Sequence, residues 1–167
     1  MILPPQPPVV TADLYDLHHE AVEVVDLRFR CFGRPASAFG PCATLRVVED
    51  HEPVLAVLST PGRGRILAVD AQGSLRVGVM GDRLAARAVE NGWRGVVING
   101  AVRDSAGIDA LDLCVRALGA TPRRGWHPRP SSLGTPIEMG QATIHDGDWL
   151  YADRDGILVS RVALPLS

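Results

Sequence analysis

The sequence predicts an α/β fold built on a mixed sheet, and three observations carry that expectation. Ile66-Leu-Ala-Val-Asp70 and Gly95-Val-Val-Ile98 are continuous apolar runs of strand length, of the kind covered on both faces of a sheet. Between them lies a helix-length segment, Arg83 to Asn91, with Gly92 as its natural stop. The C-terminal part alternates short strand-like runs with Gly- and Asp-rich turns, a β pattern. A chain of 167 residues fits one domain over 1–167, and its hydrophobic content of 46% and charged content of 22% are globular values.

Residues 1–10 are proline-rich and read as irregular. Thr11 suits an N-cap, with Asp13 and Asp16 close behind, so a short helix is expected to about Glu20. Val24 to Phe29 reads as a strand, 32–41 as a turn-rich connection, Ala43 to Val48 as the next strand and Pro53 to Leu58 as a short helix. After the strand at 66–70, Asp70-Ala-Gln-Gly73 reads as a hairpin turn into a strand from Ser74 to Gly78. Val79-Met-Gly-Asp82 is then a tight loop before the Arg83 helix. Ala106 to Leu111 is expected to give a helical turn, Leu113 to Ala117 a strand, and Arg124 to Pro136 a loop that is either mobile or covers the site. Strands at 137–140, 142–144, 149–152 and 157–162 close the chain, separated by turns at 145–148 and 153–156.

The strand at Ser74 to Gly78, the helix from Arg83 to Asn91 and the strand at Gly95 to Ile98 read as a strand-helix-strand crossover, which has a geometric consequence. A helix of nine or ten residues rises about 15 Å, and a strand of about five residues returns a similar distance. Gly81-Asp82 and Arg103-Asp104 are therefore expected at one edge, outside the carboxyl ends of the strands, where open α/β sheets bind ligands. Gly78 and Gly81 permit close backbone approach. The first free N–H groups of the helix suit an anion, and Arg103 offers a bidentate clamp on the same group. Asp82 and Asp104 are hard oxygen ligands for a divalent ion. Asp82 is equally suited to an ordinary N-cap, and only the convergence of the two pairs favours the functional reading.

Composition removes several alternatives. All 17 basic residues are arginine, so carbon–carbon chemistry through a lysine Schiff base is excluded and a metal Lewis acid takes its place. The net charge of -2 argues against direct nucleic-acid binding, and Arg63-Gly-Arg65 and Arg123-Arg124 read as solvated surface. No apolar run approaches a membrane span, and the N-terminus lacks the pattern of a signal peptide, so a cytoplasmic location is expected. Cys31, Cys42 and Cys114 form no CxxC pair and read as free, mostly buried thiols. The five histidines show no metal-ligand spacing. Asp112 is an extra candidate acid that suits a turn better, and Asp153-Arg-Asp-Gly156 lacks the remaining ligands of a calcium loop and reads as a tight turn. No glycine-rich motif with a following ribose-binding acid supports a nucleotide-dependent methyltransferase.

Gly78-Val-Met-Gly-Asp-Arg-Leu-Ala85, Gly92-Trp-Arg-Gly-Val-Val-Ile98 and Gly100-Ala-Val-Arg-Asp104 resemble the signature of the 4-hydroxy-4-methyl-2-oxoglutarate aldolase family, which also contains the regulators of ribonuclease E activity. The similarity runs from about Thr11 through Phe32-Gly33 and Gly40-Pro41 to Tyr151-Ala-Asp-Arg-Asp-Gly156. The resemblance implies a β/β/α sandwich of the swivelling-domain, RraA-like kind, assembled as a homotrimer. It implies that Gly81, Asp82, Arg83 and Leu84 with Arg103 bind the pyruvoyl end of a 2-oxo acid. Asp104 would then ligate magnesium or manganese, and Asp82 would hold a metal-bound water or the reacting hydroxyl. The implied reaction is metal-dependent aldol cleavage to pyruvate, with oxaloacetate decarboxylation beside it. In the longer aldolases an acid from a C-terminal extension completes a neighbouring subunit's site. That acid is expected to be missing here, weakening aldol cleavage more than metal or pyruvate binding. The alternative implied by the same family is a non-catalytic regulator that binds a ribonuclease.

Overall fold

The computed structural model describes residues 2–166. In chain order these form α1 (Thr11–His18), β1 (Val22–Val24), β2 (Arg30–Phe32), β3 (Ala38–Arg46), α2 (Glu52–Leu58), β4 (Ile66–Asp70), α3 (Asp82–Glu90) and β5 (Gly95–Val102). There follow α4 (Ser105–Asp109), β6 (Cys114–Ala120), β7 (Ser132–Leu133), β8 (Ile137–Met139), β9 (Ala142–Ile144), β10 (Trp149–Ala152) and β11 (Ile157–Ser160). Strands β3, β4, β5 and β6 run parallel in that order, with β2 antiparallel on the outer side of β6. The first half of β3 turns away to pair antiparallel with β10, which continues through β11 to β1. β3 therefore belongs to two sheet halves, and β8 and β9 form a separate hairpin.

Alternation along the parallel strands sorts the core into layers. On β4, Leu67 and Val69 face α2, α3 and α4, and Ile66 and Ala68 face the second β layer. β5 repeats the division with Val96 and Ile98 against Val97, as does β6 with Val115 and Ala117 against Cys114. A smaller cluster seats Leu14 of α1 on Tyr151 and Leu158. The result is the expected mixed-sheet α/β fold, in β/β/α layers. No helix among the described residues is long and apolar enough to cross a membrane.

Several local expectations are corrected. Val24 to Phe29 is not one strand, because its backbone crosses between the sheet halves: β1 pairs with β11 and β2 with β6. Val25 is buried, and Leu27 and Phe29 pack on the same cluster, which is the alternation that reads as a strand. The N–H groups of Val25 and Asp26, however, go to Ile157 and Gly140. The strand expected from Ser74 to Gly78 does not form a hairpin either. Both edges of β4 are already taken by β3 and β5, so the chain passes over the end of β5 and leaves only a parallel bridge from Gly78 to Ala101. β4, not this segment, opens the crossover through α3. The connection at 32–41 is strand from Ala38 onward. Val10 is the N-cap of α1, while Thr11 is its first residue and donates through N–H and Oγ1 to Asp153. The expected loop at 124–136 includes the short strand β7.

Candidate active site

The segment from Gly78 to Asp82 lies directly on the end of β5. The Val79 N–H donates to the Ala101 carbonyl (3.0 Å), and the Arg103 N–H donates to the Met80 carbonyl (2.8 Å). A Cβ on Gly78 would sit 2.2 Å from Arg103 Cγ and 2.9 Å from the Val102 carbonyl carbon. A Cβ on Gly81 would sit 2.6 Å from Asp104 Oδ2. Close approach to backbone therefore requires glycine at 78, whereas a Cβ at 81 would displace the carboxylate end of Asp104; Gly81, at φ -113, needs no left-handed freedom. The expected meeting of Gly81-Asp82 with Arg103-Asp104 is present.

Gly81 is the N-cap of α3 and makes no side-chain cap, and Asp82 is the first helical residue. The first intrahelical bond runs from Ala85 N–H to the Gly81 carbonyl (3.0 Å). The amides of Asp82, Arg83 and Leu84 precede it and carry the positive end of the helix dipole. Only their backbones belong to this rim: the Arg83 side chain is exposed, and Leu84 packs against the helix-side core. Arg103 is half-buried and donates from Nε to the Pro122 carbonyl (3.0 Å), which leaves its terminal nitrogens to act as the fork.

Asp104 is exposed and left-handed (φ 53, ψ 45) where β5 hands over to α4, and its carbonyl accepts from the Ile108 N–H (3.0 Å). α4 meets α3 through Gly107, where a Cβ would be 2.6 Å from Asp82 Oδ2 and 2.7 Å from Asp82 Cβ. Both carboxylates thus lie at one joint of α3, β5 and α4. Among the described residues no group of three or more His, Cys, Asp or Glu side chains is gathered for a metal. Two carboxylates suit magnesium or manganese, which keep several waters and take substrate oxygens rather than a full protein cage. The donor set therefore fits such an ion.

Two contributors escaped the sequence reading. Gly107 has a signal, since a glycine inside a five-residue helix is a poor helix former and marks close approach. The segment at 122–123 has none: its carbonyls hold Arg103 Nε and the Gly78 N–H (2.9 Å) through long-range contacts that local pattern does not encode. Asp112 lies at the opposite edge of the sheet, just before β6. Asp153 accepts from the Asp155 and Gly156 N–H groups, so 153–156 is the expected turn. Burial, reinforced by the carboxylates of Asp148 and Asp146, pushes the Cys42 thiol up to about 12. Burial also raises Cys114 to about 11. Cys31, by contrast, is exposed on the edge strand β2.

Residues 11–159 match the family model described as RraA-like, Aldolase/RraA. A protein of Cupriavidus taiwanensis named "Putative 4-hydroxy-4-methyl-2-oxoglutarate aldolase" is 42% identical over 156 residues, covering 90% of this chain and 94% of its own. A likewise-named protein of Xanthomonas campestris pv. campestris is 45% identical over 157 residues, covering 94% and 93%. Among solved structures, the RNA-processing inhibitor RraA of Thermus thermophilus superposes with a TM-score of 0.88 at 38% identity, covering 93% of this chain and 94% of that one. A structure from Geobacillus kaustophilus titled as an S-adenosylmethionine: 2-dimethylmenaquinone methyltransferase gives 0.91 at 38% identity, covering 93% and 97%. With fold and sequence in agreement over nearly the whole chain, the protein belongs to the RraA-like family, Aldolase/RraA.

Proposed function

We propose that the protein is a divalent-metal-dependent lyase that cleaves 4-hydroxy-4-methyl-2-oxoglutarate into two pyruvates and also decarboxylates oxaloacetate. The observation that carries this reading is the joint itself: free α3 amides, the Arg103 fork and the carboxylates of Asp82 and Asp104 meet at one strand end. The names of the relatives supply the substrate. Magnesium or manganese would be held by Asp104 and would supply Lewis-acid polarisation of the substrate's C2 carbonyl.

The chain's own residues do the rest. Amides at 82–84 and Arg103 bind the C1 carboxylate and orient the 2-oxo group. Asp82, directly or through one water, takes the proton of the C4 hydroxyl. As that oxygen becomes a carbonyl, the C3–C4 bond breaks and its electron pair forms the enolate of the first pyruvate. The C4–C5 fragment, with its methyl group, leaves as the second pyruvate. Arg103 and the α3 amides stabilise the enolate charge until C3 is protonated. Oxaloacetate loses carbon dioxide to give the same enolate and has no hydroxyl proton to remove. Asp82→Asn should therefore lower aldol cleavage about 100-fold while leaving most of the decarboxylation. Equal loss of both activities would remove Asp82 from the base role.

The Thermus relative favours one second reading, a regulator that captures a ribonuclease without chemistry. Tight, metal-independent capture of ribonuclease E by protein inactive on both acids would support it. A homotrimer is part of the leading proposal, and light scattering on the eluted protein should give close to three times the chain mass of 17.9 kDa.

A further inference from the structure

The edge of the sheet opposite the proposed active site carries an open cavity of about 600 Å³. Its lining includes Arg94 just before β5, Asp112 just before β6 and Ala38, which opens the antiparallel half of β3. One wall is the N-terminal segment. Gln6 pins that segment by donating its side-chain amide to the Phe39 carbonyl (2.7 Å) and accepting from the Phe39 N–H (3.2 Å). The Val9 N–H is tied to Ser37 Oγ (3.3 Å), and Thr11 is anchored twice on Asp153. Prolines at 4, 5, 7 and 8 hold the segment extended and remove the donors it would need to pair as a strand. Leu3 and Pro5 thereby become a fixed apolar wall facing Val89 and Trp93.

The polar groups of the cavity are unequal in charge. Arg34 and Arg94 line it against Asp112, an excess of one positive charge. Among the described residues neither guanidinium makes a direct hydrogen bond, and Asp112 acts on Arg94 through its charge alone. Elsewhere in the molecule Arg65 lies on the carbonyls of Pro61 and Gly62, Arg116 on three carbonyls and Arg76 on Glu49. Burial lowers the Arg94 pKa and the Asp112 carboxylate opposes it, so Arg94 is partly stripped of water and only partly compensated. The volume lies in the range of small-molecule sites, which are largely apolar with a few placed polar groups.

We propose that this cavity is a second binding site, for a monocarboxylate with an apolar body, whose carboxylate sits on Arg94 and Arg34 and whose body lies between Leu3, Pro5 and Val89. A compact dicarboxylate such as the proposed substrate would exceed the spare charge and leave the apolar walls uncovered. The site is independent of the reading of the active site, and binding is read directly.

The test is calorimetric titration of the full chain with 4-phenylbutyrate and with its neutral counterpart 4-phenylbutan-1-ol. The acid should bind, and the alcohol should bind about tenfold more weakly or worse. Arg94→Ala and, separately, Leu3→Asp should each weaken the acid by about tenfold, while both variants keep their circular dichroism and their pyruvate release. Leu3→Asp lies outside every core cluster, so it reports even if Arg94→Ala folds poorly. No binding of the acid at about 10 mM, equal binding of acid and alcohol, or wild-type affinity in both variants would overturn the proposal.

Discussion

Asp104 adopts the left-handed region, where a residue with a side chain sits at a cost and glycine does not. Asp104→Gly should therefore raise stability by about 0.5–1 kcal/mol while abolishing metal-dependent turnover. Thermal melting and pyruvate release, measured on one preparation, check both halves. At Gly107 helix propensity and site geometry pull in opposite directions. Alanine would favour the helix by about 1 kcal/mol, yet its Cβ would press on Asp82 from 2.6 Å. Geometry wins, because the contact includes Asp82 Cβ as well as its flexible end. Gly107→Ala should lower aldol cleavage more than tenfold with no gain in melting temperature, on the order expected for displacing a positioned proton acceptor. The thiols give a pH prediction. Cys42 and Cys114 have folded pKa values of about 12 and about 11 against 9.0 for the free thiol. Their contribution to stability is complete below pH 9 and is lost as pH rises toward 11 and 12, because the unfolded chain releases those protons first. Urea unfolding at pH 8 and 10.5 should show this fall, and the double replacement Cys42→Ala, Cys114→Ala should flatten it. In the folded protein a thiol reagent should modify Cys31 alone.

At the scale of elements, the site depends on β4 and β5 being covered on both faces. Every residue of β4 is buried, and Leu67 lies beneath the helices. Leu67→Ala should cost about 3 kcal/mol, seen as a lower urea midpoint at unchanged slope. The helix with its glycine stop and the apolar return strand β5 were legible in the sequence, and they bring Gly81-Asp82 to Arg103-Asp104; the opening strand was read at Ser74 to Gly78 and is β4 instead. The segment from Ser74 to Gly78 was not legible as it stands. Its turn signal is real, but pairing depends on whether β4 has a free edge, a property of the whole sheet. Val24 to Phe29 fails in the same way: alternating burial records which side chains face the core and says nothing of where the N–H groups go.

At the scale of the molecule, the layers place the joint of α3, β5 and α4 at one edge of the parallel sheet and the arginine-lined cavity at the other. α3 reaches both, from Asp82 at the joint to Val89 on the cavity wall. The family was readable from three glycine-rich motifs: Gly78 and Gly95 lie close to neighbouring backbone, Gly81 close to the Asp104 carboxylate, and Gly92 takes the left-handed turn that ends α3. The Pro122 carbonyl behind Arg103 and the strapped N-terminus arise from contacts far apart in sequence and needed the fold. The most direct measurement is pyruvate release from 4-hydroxy-4-methyl-2-oxoglutarate and from oxaloacetate, with magnesium or with EDTA, by the wild type and by Asp104→Ala. The account predicts release from both acids that EDTA abolishes and that Asp104→Ala lowers at least about 100-fold. Undiminished magnesium-dependent release by a folded Asp104→Ala, or none from either acid by the folded wild type, would contradict it.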